Sequence, residues 1–298
     1  MICAKNLCKK FGDFTAIEDL SFTVEKSSIY GLVGYNGAGK TTLLKTIAGI
    51  YRPDGGKALV DGESIFDNEG MKRRMFFVPD DLYFLPQAGM NRMRNFYRGY
   101  YPGWSDKTYR RLVDIFGLDA SKKINGFSKG MQRQAALILG LSTRPEYLLL
   151  DESFDGLDPA KRALCRQLLV EVMAEKEMCV LISSHNLREL EDLCDHVGFL
   201  NDRHIVYDCS LDDMRANKNK FRVAFKEKIS EDAFAAIPHK NYTQSGNIAS
   251  FVADGDAAAI EREIEKLNPA LVESMPLTLE EIFLTEMEAK SYDFKGIF

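Results

Sequence analysis

Gly34-Tyr35-Asn36-Gly37-Ala38-Gly39-Lys40-Thr41 is the stretch on which the reading of this chain turns. It has the form G-x-x-x-x-G-K-[ST], and its flanks are as informative as the pattern. Before it, Ile29-Tyr30-Gly31-Leu32-Val33 is an apolar run of strand length. After it, the residues from Lys40 to Ile47 carry apolar side chains at helical spacing. Between a strand and a helix, such glycines let consecutive backbone amides turn inward and cradle phosphates. The helix that follows adds the positive end of its dipole. Lys40 then bridges β- and γ-phosphates and the Thr41 hydroxyl ligates Mg2+. Gly34, Asn36, Gly37, Ala38, Gly39, Lys40, Thr41 and Thr42 are the phosphate-binding residues expected here.

A second stretch, Tyr147-Leu148-Leu149-Leu150-Asp151-Glu152, is an apolar strand ending in two carboxylates. At a strand tip the first, Asp151, can hold Mg2+ and the second, Glu152, can orient and deprotonate an attacking water. Alone, an Asp-Glu pair is a common solvated strand end. Its weight comes from lying in the same expected sheet as the phosphate loop: strand Tyr147–Leu150, helix Pro159–Glu175, strand Cys179–Ser183 and helix Asn186–Cys194 alternate, which predicts a mostly parallel sheet with crossover helices.

Between these two lies Phe127-Ser128-Lys129-Gly130-Met131-Gln132, before an apolar helix. It resembles the L-S-G-G-Q signature of the ATP-binding cassette (ABC) family, with Lys129 and Met131 departing from the usual Gly and Gln. Gly156-Leu157-Asp158 resembles the family's D-loop. Ser184-His185, after the apolar run Cys179–Ser183, stands where the family has its switch histidine. The resemblance covers about residues 1–212 and includes six elements in family order. It implies a phosphate-loop ABC cassette of α/β class, with a mixed sheet core and a helical subdomain at about 87–145. It further implies that Ser128 and the amides of Lys129 and Gly130 meet the γ-phosphate of ATP held by an opposite subunit, that Asp158 links the two composite sites, and that His185 contacts the γ-phosphate. Phe11, in Lys9-Lys10-Phe11-Gly12, matches the aromatic that stacks on adenine.

One position departs. Where the family has a Gln that contacts Mg2+ and senses the membrane partner, this chain has Asp80 in Phe77-Val78-Pro79-Asp80-Asp81-Leu82, with Gln87 as the rival alignment. Asp80 is the preferred match, which makes Thr41, Asp80 and Asp151 the expected metal ligands. A carboxylate there adds negative charge beside the γ-phosphate.

The 298 residues suit about two domains. Apolar residues are 45% and charged residues 28%, an ordinary globular balance. The net charge of -5 argues against a nucleic-acid binder. No apolar run reaches the roughly 18 residues of a membrane span, and Met1-Ile2-Cys3-Ala4-Lys5 lacks a signal-peptide layout. The six cysteines contain no C-x-x-C pair and read as reduced, buried thiols. Taken alone, these features lead to the expectation of a soluble, cytosolic chain; the resemblance implies a cytoplasmic protein peripheral on the inner face of the cell membrane. The aromatic run Phe96, Tyr97, Tyr100, Tyr101, Trp104 and Tyr109 reads as packing of the helical insertion, with some members available to a membrane subunit.

Beyond about 212 the composition shifts. Strands at Phe221–Phe225, near Tyr242, at Ile248–Val252 and at Leu271–Met275 alternate with helices at Glu231–Ala236, Ala257–Leu267 and Leu279–Met287. Thr278 and Glu281 have capping-box spacing. This predicts a small α+β domain of βαββαβ form over 213–298, regulatory or for interaction, with an aromatic tail at Phe294, Ile297 and Phe298.

One cassette alone carries one phosphate loop and one signature. The resemblance therefore implies a head-to-tail dimer with itself or a paralogous ATPase subunit, two ATP molecules with Mg2+, and a separate transmembrane permease subunit. The function expected is ATP hydrolysis driving transport, in the export direction. The alternative is a soluble ABC ATPase acting on ribosomes or DNA, although such chains usually have two cassettes or long coiled-coil insertions.

Overall fold

In the computed structural model, which describes residues 1–287, the chain forms two compact units, Met1–Asp208 and Cys209 onward. The tail residues Phe294, Ile297 and Phe298 lie outside the described residues.

The first unit opens with an antiparallel hairpin of β1 (Ile2–Phe11) and β2 (Phe14–Val24), then β3 (Ile29–Val33) and α1 (Lys40–Ile47). Next come β4 (Gly55–Val60), β5 (Glu63–Ser64), the single turn α2 (Glu69–Lys72) and β6 (Met75–Val78). The helices α3 (Met90–Tyr100), α4 (Asp106–Phe116) and α5 (Lys129–Ser142) precede β7 (Tyr147–Asp151) and α6 (Pro159–Glu175). The unit closes with β8 (Cys179–Ser184), α7 (Leu187–Glu191), β9 (His196–Asn201) and β10 (His204–Ser210), the last running across the boundary.

Two sheets result. One has the order β2-β1-β4-β5 and is antiparallel. The other is six-stranded, β10-β9-β3-β8-β7-β6, and its strands from β9 to β6 run parallel. β3, β7 and β8 are buried at every residue. A parallel strand covered on both faces must be continuously apolar, which is why these three read as runs and not as alternations. α1 packs against strands of both sheets. Its Leu43, Leu44 and Ile47 are fully buried, and burial of each is worth about 1.5–3 kcal/mol.

Register decides where the chemistry falls. Val33 at the end of β3 sits beside Ser184 of β8, and Asp151 at the end of β7 sits beside Ser183. Three adjacent strands thus end together, one leading into the phosphate loop, one into Glu152 and one into His185. Ligands of parallel α/β sheets bind outside such carboxyl ends.

The second unit continues from α8 (Leu211–Asn217) through β11 (Lys218–Ala224), β12 (Lys240–Ser245), β13 (Ile248–Asp254), α9 (Ala257–Glu265) and β14 (Leu271–Pro276) to α10 (Leu279–Met287). Its antiparallel sheet has the order β12-β13-β11-β14. Phe221, Val223, Ala249 and Phe251 form one buried face with Phe234 and Ile264. Thr278 and Glu281 make the reciprocal capping bonds at the start of α10: the Glu281 amide donates to Thr278 Oγ1 at 3.2 Å and the Thr278 amide to Glu281 Oε2 at 3.0 Å.

Two expected helices come out shorter. Glu231–Phe234 is a single 3-10 turn, because Pro238 follows closely and disfavours helical backbone at Ile237. The helix expected over 186–194 is confined to α7. No disulfide links the six cysteines, and Cys8 and Cys209 are only half-buried.

Candidate active site

The phosphate loop is shaped by two left-handed glycines, Gly37 (φ 84°) and Gly39 (φ 108°). A Cβ at Gly39 would lie 2.7 Å from the Ala16 carbonyl oxygen, so both conformation and space demand glycine there. As the N-cap of α1, Gly39 brings no side chain to the first helical amides, which leaves them to an anion. Lys40 is buried and donates to the carbonyls of Gly34 (2.7 Å) and Tyr35 (3.3 Å). Its Nζ also pairs with Glu152 Oε1 at 3.1 Å.

Asp151 is fully buried. Ser183 Oγ donates to its Oδ1 at 2.7 Å, while Oδ2 is buried with no hydrogen-bond partner. Burial pushes this carboxyl above its ordinary value, against the pull of the Ser183 and Thr41 hydroxyls. An orphaned carboxylate oxygen beside a threonine hydroxyl is a donor set that suits a hard, oxygen-loving cation such as Mg2+.

Glu152 follows at φ 46°, a left-handed conformation that costs a non-glycine residue about 1–3 kcal/mol. Its amide donates to Ser183 O at 3.2 Å and Ser183 Oγ at 3.1 Å. The turn brings Glu152 Oε2 to 2.8 Å from His185 Nδ1, and the His185 amide donates to the same oxygen at 3.3 Å. Asp155 Oδ2 lies 3.8 Å from His185 Nδ1. Burial and the neighbouring Glu152 raise the Asp155 carboxyl, opposed by His185 and Arg133.

Asn36, Gly37, Gly39, Lys40, Thr41, Thr42, Asp80, Glu152 and His185 line one cavity of about 380 Å3, with Asp155, Phe14 and Ala16. Gln87 is not among its lining residues. Phe11 is not either; it packs edge-on against Tyr51 at 5.3 Å, and Phe14 is the aromatic that reaches the cavity. Ser128, Lys129, Gly130 and Asp158 also stand outside the lining. Ser128 caps α5, accepting from the Met131 amide at 3.3 Å, and Asp158 caps α6, accepting from the Lys161 amide at 2.9 Å. A Cβ at Gly130 would meet the Gly156 carbonyl at 2.7 Å, so the start of α5 lies against the turn before Asp158.

Sequence reasoning missed Asp155, Ser183, Phe14 and Arg133. Ser183 and Asp155 flank residues already singled out. Arg133 had no signal of its own: its Nη2 bonds Asp80 Oδ1 at 2.7 Å and its Nη1 bonds the Glu152 carbonyl at 2.6 Å, across long stretches of sequence.

A phosphate loop, a buried Asp and an adjacent Glu–His pair on neighbouring parallel strand ends define a phosphate-loop ATPase. The family model for the ABC transporter matches residues 17–155. The ABC transporter ATP-binding protein YtrB of Bacillus subtilis (strain 168) is 31% identical over 294 residues, covering 97% of this chain and 99% of its own. The bacitracin transport ATP-binding protein BcrA of Bacillus licheniformis is 30% identical over 227 residues, 74% of this chain and 73% of its own. A solved ATP binding subunit of an ABC transporter superposes with a TM-score of 0.67 at 27% identity, over 72% of this chain and 92% of that one. The chain belongs to the ABC transporter family and is an ATP-binding subunit of it.

Proposed function

We propose that this chain hydrolyses ATP as the motor of an ABC exporter, working as a head-to-tail dimer bound to a separate transmembrane permease at the inner membrane face. The observation that carries the reading is the continuous contact Lys40–Glu152–His185, 3.1 and 2.8 Å, at the edge of the phosphate cavity. Lys40, drawn back onto loop carbonyls, exchanges those partners for β- and γ-phosphate oxygens when ATP binds. Thr41, Asp151 and Asp80 are the residues to hold Mg2+, which supplies charge neutralisation between the phosphates. Glu152 accepts the proton of the attacking water, and His185 steadies that carboxylate while donating toward the γ-phosphate. Positioning and electrostatics thus carry the rate.

The dimer is supported by what the cavity omits. Ser128, Lys129, Gly130 and Asp158 are placed at helix starts outside it, consistent with service to the site of a second subunit. Phe11, outside the lining on the hairpin that carries Phe14, is the proposed adenine contact, and Phe14 lines the cavity itself. Docking to a permease is supported by a groove of about 340 Å3 lined by Ile50, Phe77, Pro79, Tyr83, Phe84 and Tyr97 among others. Tyr83 is 73% exposed, an aromatic of the kind that anchors interfaces. No helix among the described residues is long and apolar enough to cross a membrane. Relatives named for bacitracin and for probable multidrug transport support export as the direction.

Co-purification of tagged Glu152→Gln protein from native membranes, in detergent with ATP, tests this. A multi-span membrane protein in stoichiometric amount is the expected result. Recovery of ribosomes or other soluble machinery alone would overturn the transport reading while leaving the ATPase.

A further inference from the structure

Three carboxylates, Asp80, Glu152 and Asp155, line a cavity that on the reading above receives a triphosphate, and a fourth, the fully buried Asp151, directly precedes Glu152. Two cationic or ionisable groups, Lys40 and His185, share the lining, and both already lie against Glu152. Asp80 is therefore the carboxylate whose charge needs an answer from elsewhere. Arg133 provides it. Its side chain is 13% exposed, against 52% for Asp80, so the guanidinium is the more enclosed member of the pair. Its planar fork meets two acceptors at once, the Asp80 carboxylate and the Glu152 carbonyl. The second contact falls on the residue held at positive φ.

We propose that Arg133 is a positioning residue of the phosphate site, neutralising Asp80 and clamping the backbone turn that aims the Glu152 carboxylate into the cavity. Both roles rest on the cavity being the ATP site. The arrangement lets a carboxylate stand where a second negative charge beside the phosphates would otherwise weaken binding. It also ties the cavity to α5, whose first residues follow Ser128.

The test compares Arg133→Gln, Asp80→Gln, Arg133→Lys and the double variant Asp80→Gln/Arg133→Gln in the full chain. Binding of a fluorescent ATP analogue (mant-ATP) is measured in Mg2+-free buffer, where the metal-holding role of Asp80 does not enter, beside steady-state turnover with Mg2+. Leaving Asp80 uncompensated in Arg133→Gln weakens this metal-free binding by about tenfold, and the double variant returns to within about twofold of wild type. Turnover stays low in the double variant, because the clamp on the Glu152 carbonyl is absent in both. Arg133→Lys keeps the charge but not the fork, so binding holds while kcat falls. Equal weakening in the single and double variants, or none in the single, overturns the proposal. Failure of the wild type to bind mant-ATP would instead sink the ATP-site reading itself.

Discussion

Asp151 is a carboxylate buried at a cost. Its folded pKa lies above its unfolded value, with burial the leading cause. The sign follows: above the folded pKa the ionised group opposes folding, and below the unfolded pKa that opposition is gone. Asp151 would help hold a cation at this site, and the cation's charge would offset that cost. We therefore expect Asp151→Asn to raise the thermal midpoint in Mg2+-free buffer at neutral pH while weakening Mg2+-dependent ATP binding. Differential scanning fluorimetry with and without Mg2+ reads both; a lowered midpoint without the metal would contradict the account. At this scale short motifs mark Lys40, Thr41, Asp151, Glu152 and His185 in the sequence, and the structure brings Lys40, Glu152 and His185 into contact. The sequence was silent on Arg133, because nothing local marks which arginine of a helix turns toward a carboxylate more than fifty positions away.

At the scale of elements, helix α5 shows packing overriding propensity. Gly140 lies inside it, where alanine in an open helix would be better by about 1 kcal/mol. A Cβ there would lie 2.7 Å from the Phe76 ring of β6, and overpacking of this kind costs about 1–3 kcal/mol. Gly140→Ala should accordingly be destabilising in urea, with Phe76→Leu restoring part of the loss. A stabilised Gly140→Ala protein would mean the helix and strand are not held as close as described. β7, α6 and β8 were legible because a buried parallel strand is a run and a crossover helix has its own period. β6 was not: Met75-Phe76-Phe77-Val78 is too short to stand out, yet it delivers Asp80 to the cavity. Nor was the length of the 3-10 turn at Glu231–Phe234, which a nearby proline curtails.

For the whole molecule, the separation between the cavity and the signature residues makes association the decisive variable. Glu152→Gln removes the proposed base and should lower turnover by about 10²–10⁴-fold while leaving ATP binding intact. Without hydrolysis the ATP-bound form accumulates, and sedimentation velocity should show a dimer with ATP and a monomer with ADP. A monomer under both conditions would argue against two composite sites. The boundary between units belongs here too. Composition suggested 212, and the contacts divide the chain at 208, within β10 of the six-stranded sheet.

The sequence by itself determined the phosphate loop, the Asp-Glu strand end, the signature and their order, because each is a local pattern whose chemistry needs particular residue types at fixed spacing. It also determined the alternation that makes the core a largely parallel sheet. The tertiary structure alone decided which strand ends are neighbours, that Glu152 turns at positive φ to face both Lys40 and His185, that Phe14 and not Phe11 lines the cavity, and that Asp80 is held by Arg133. The physical reason is that register and side-chain pairing are fixed by contacts between segments far apart in the chain, and no local preference encodes them.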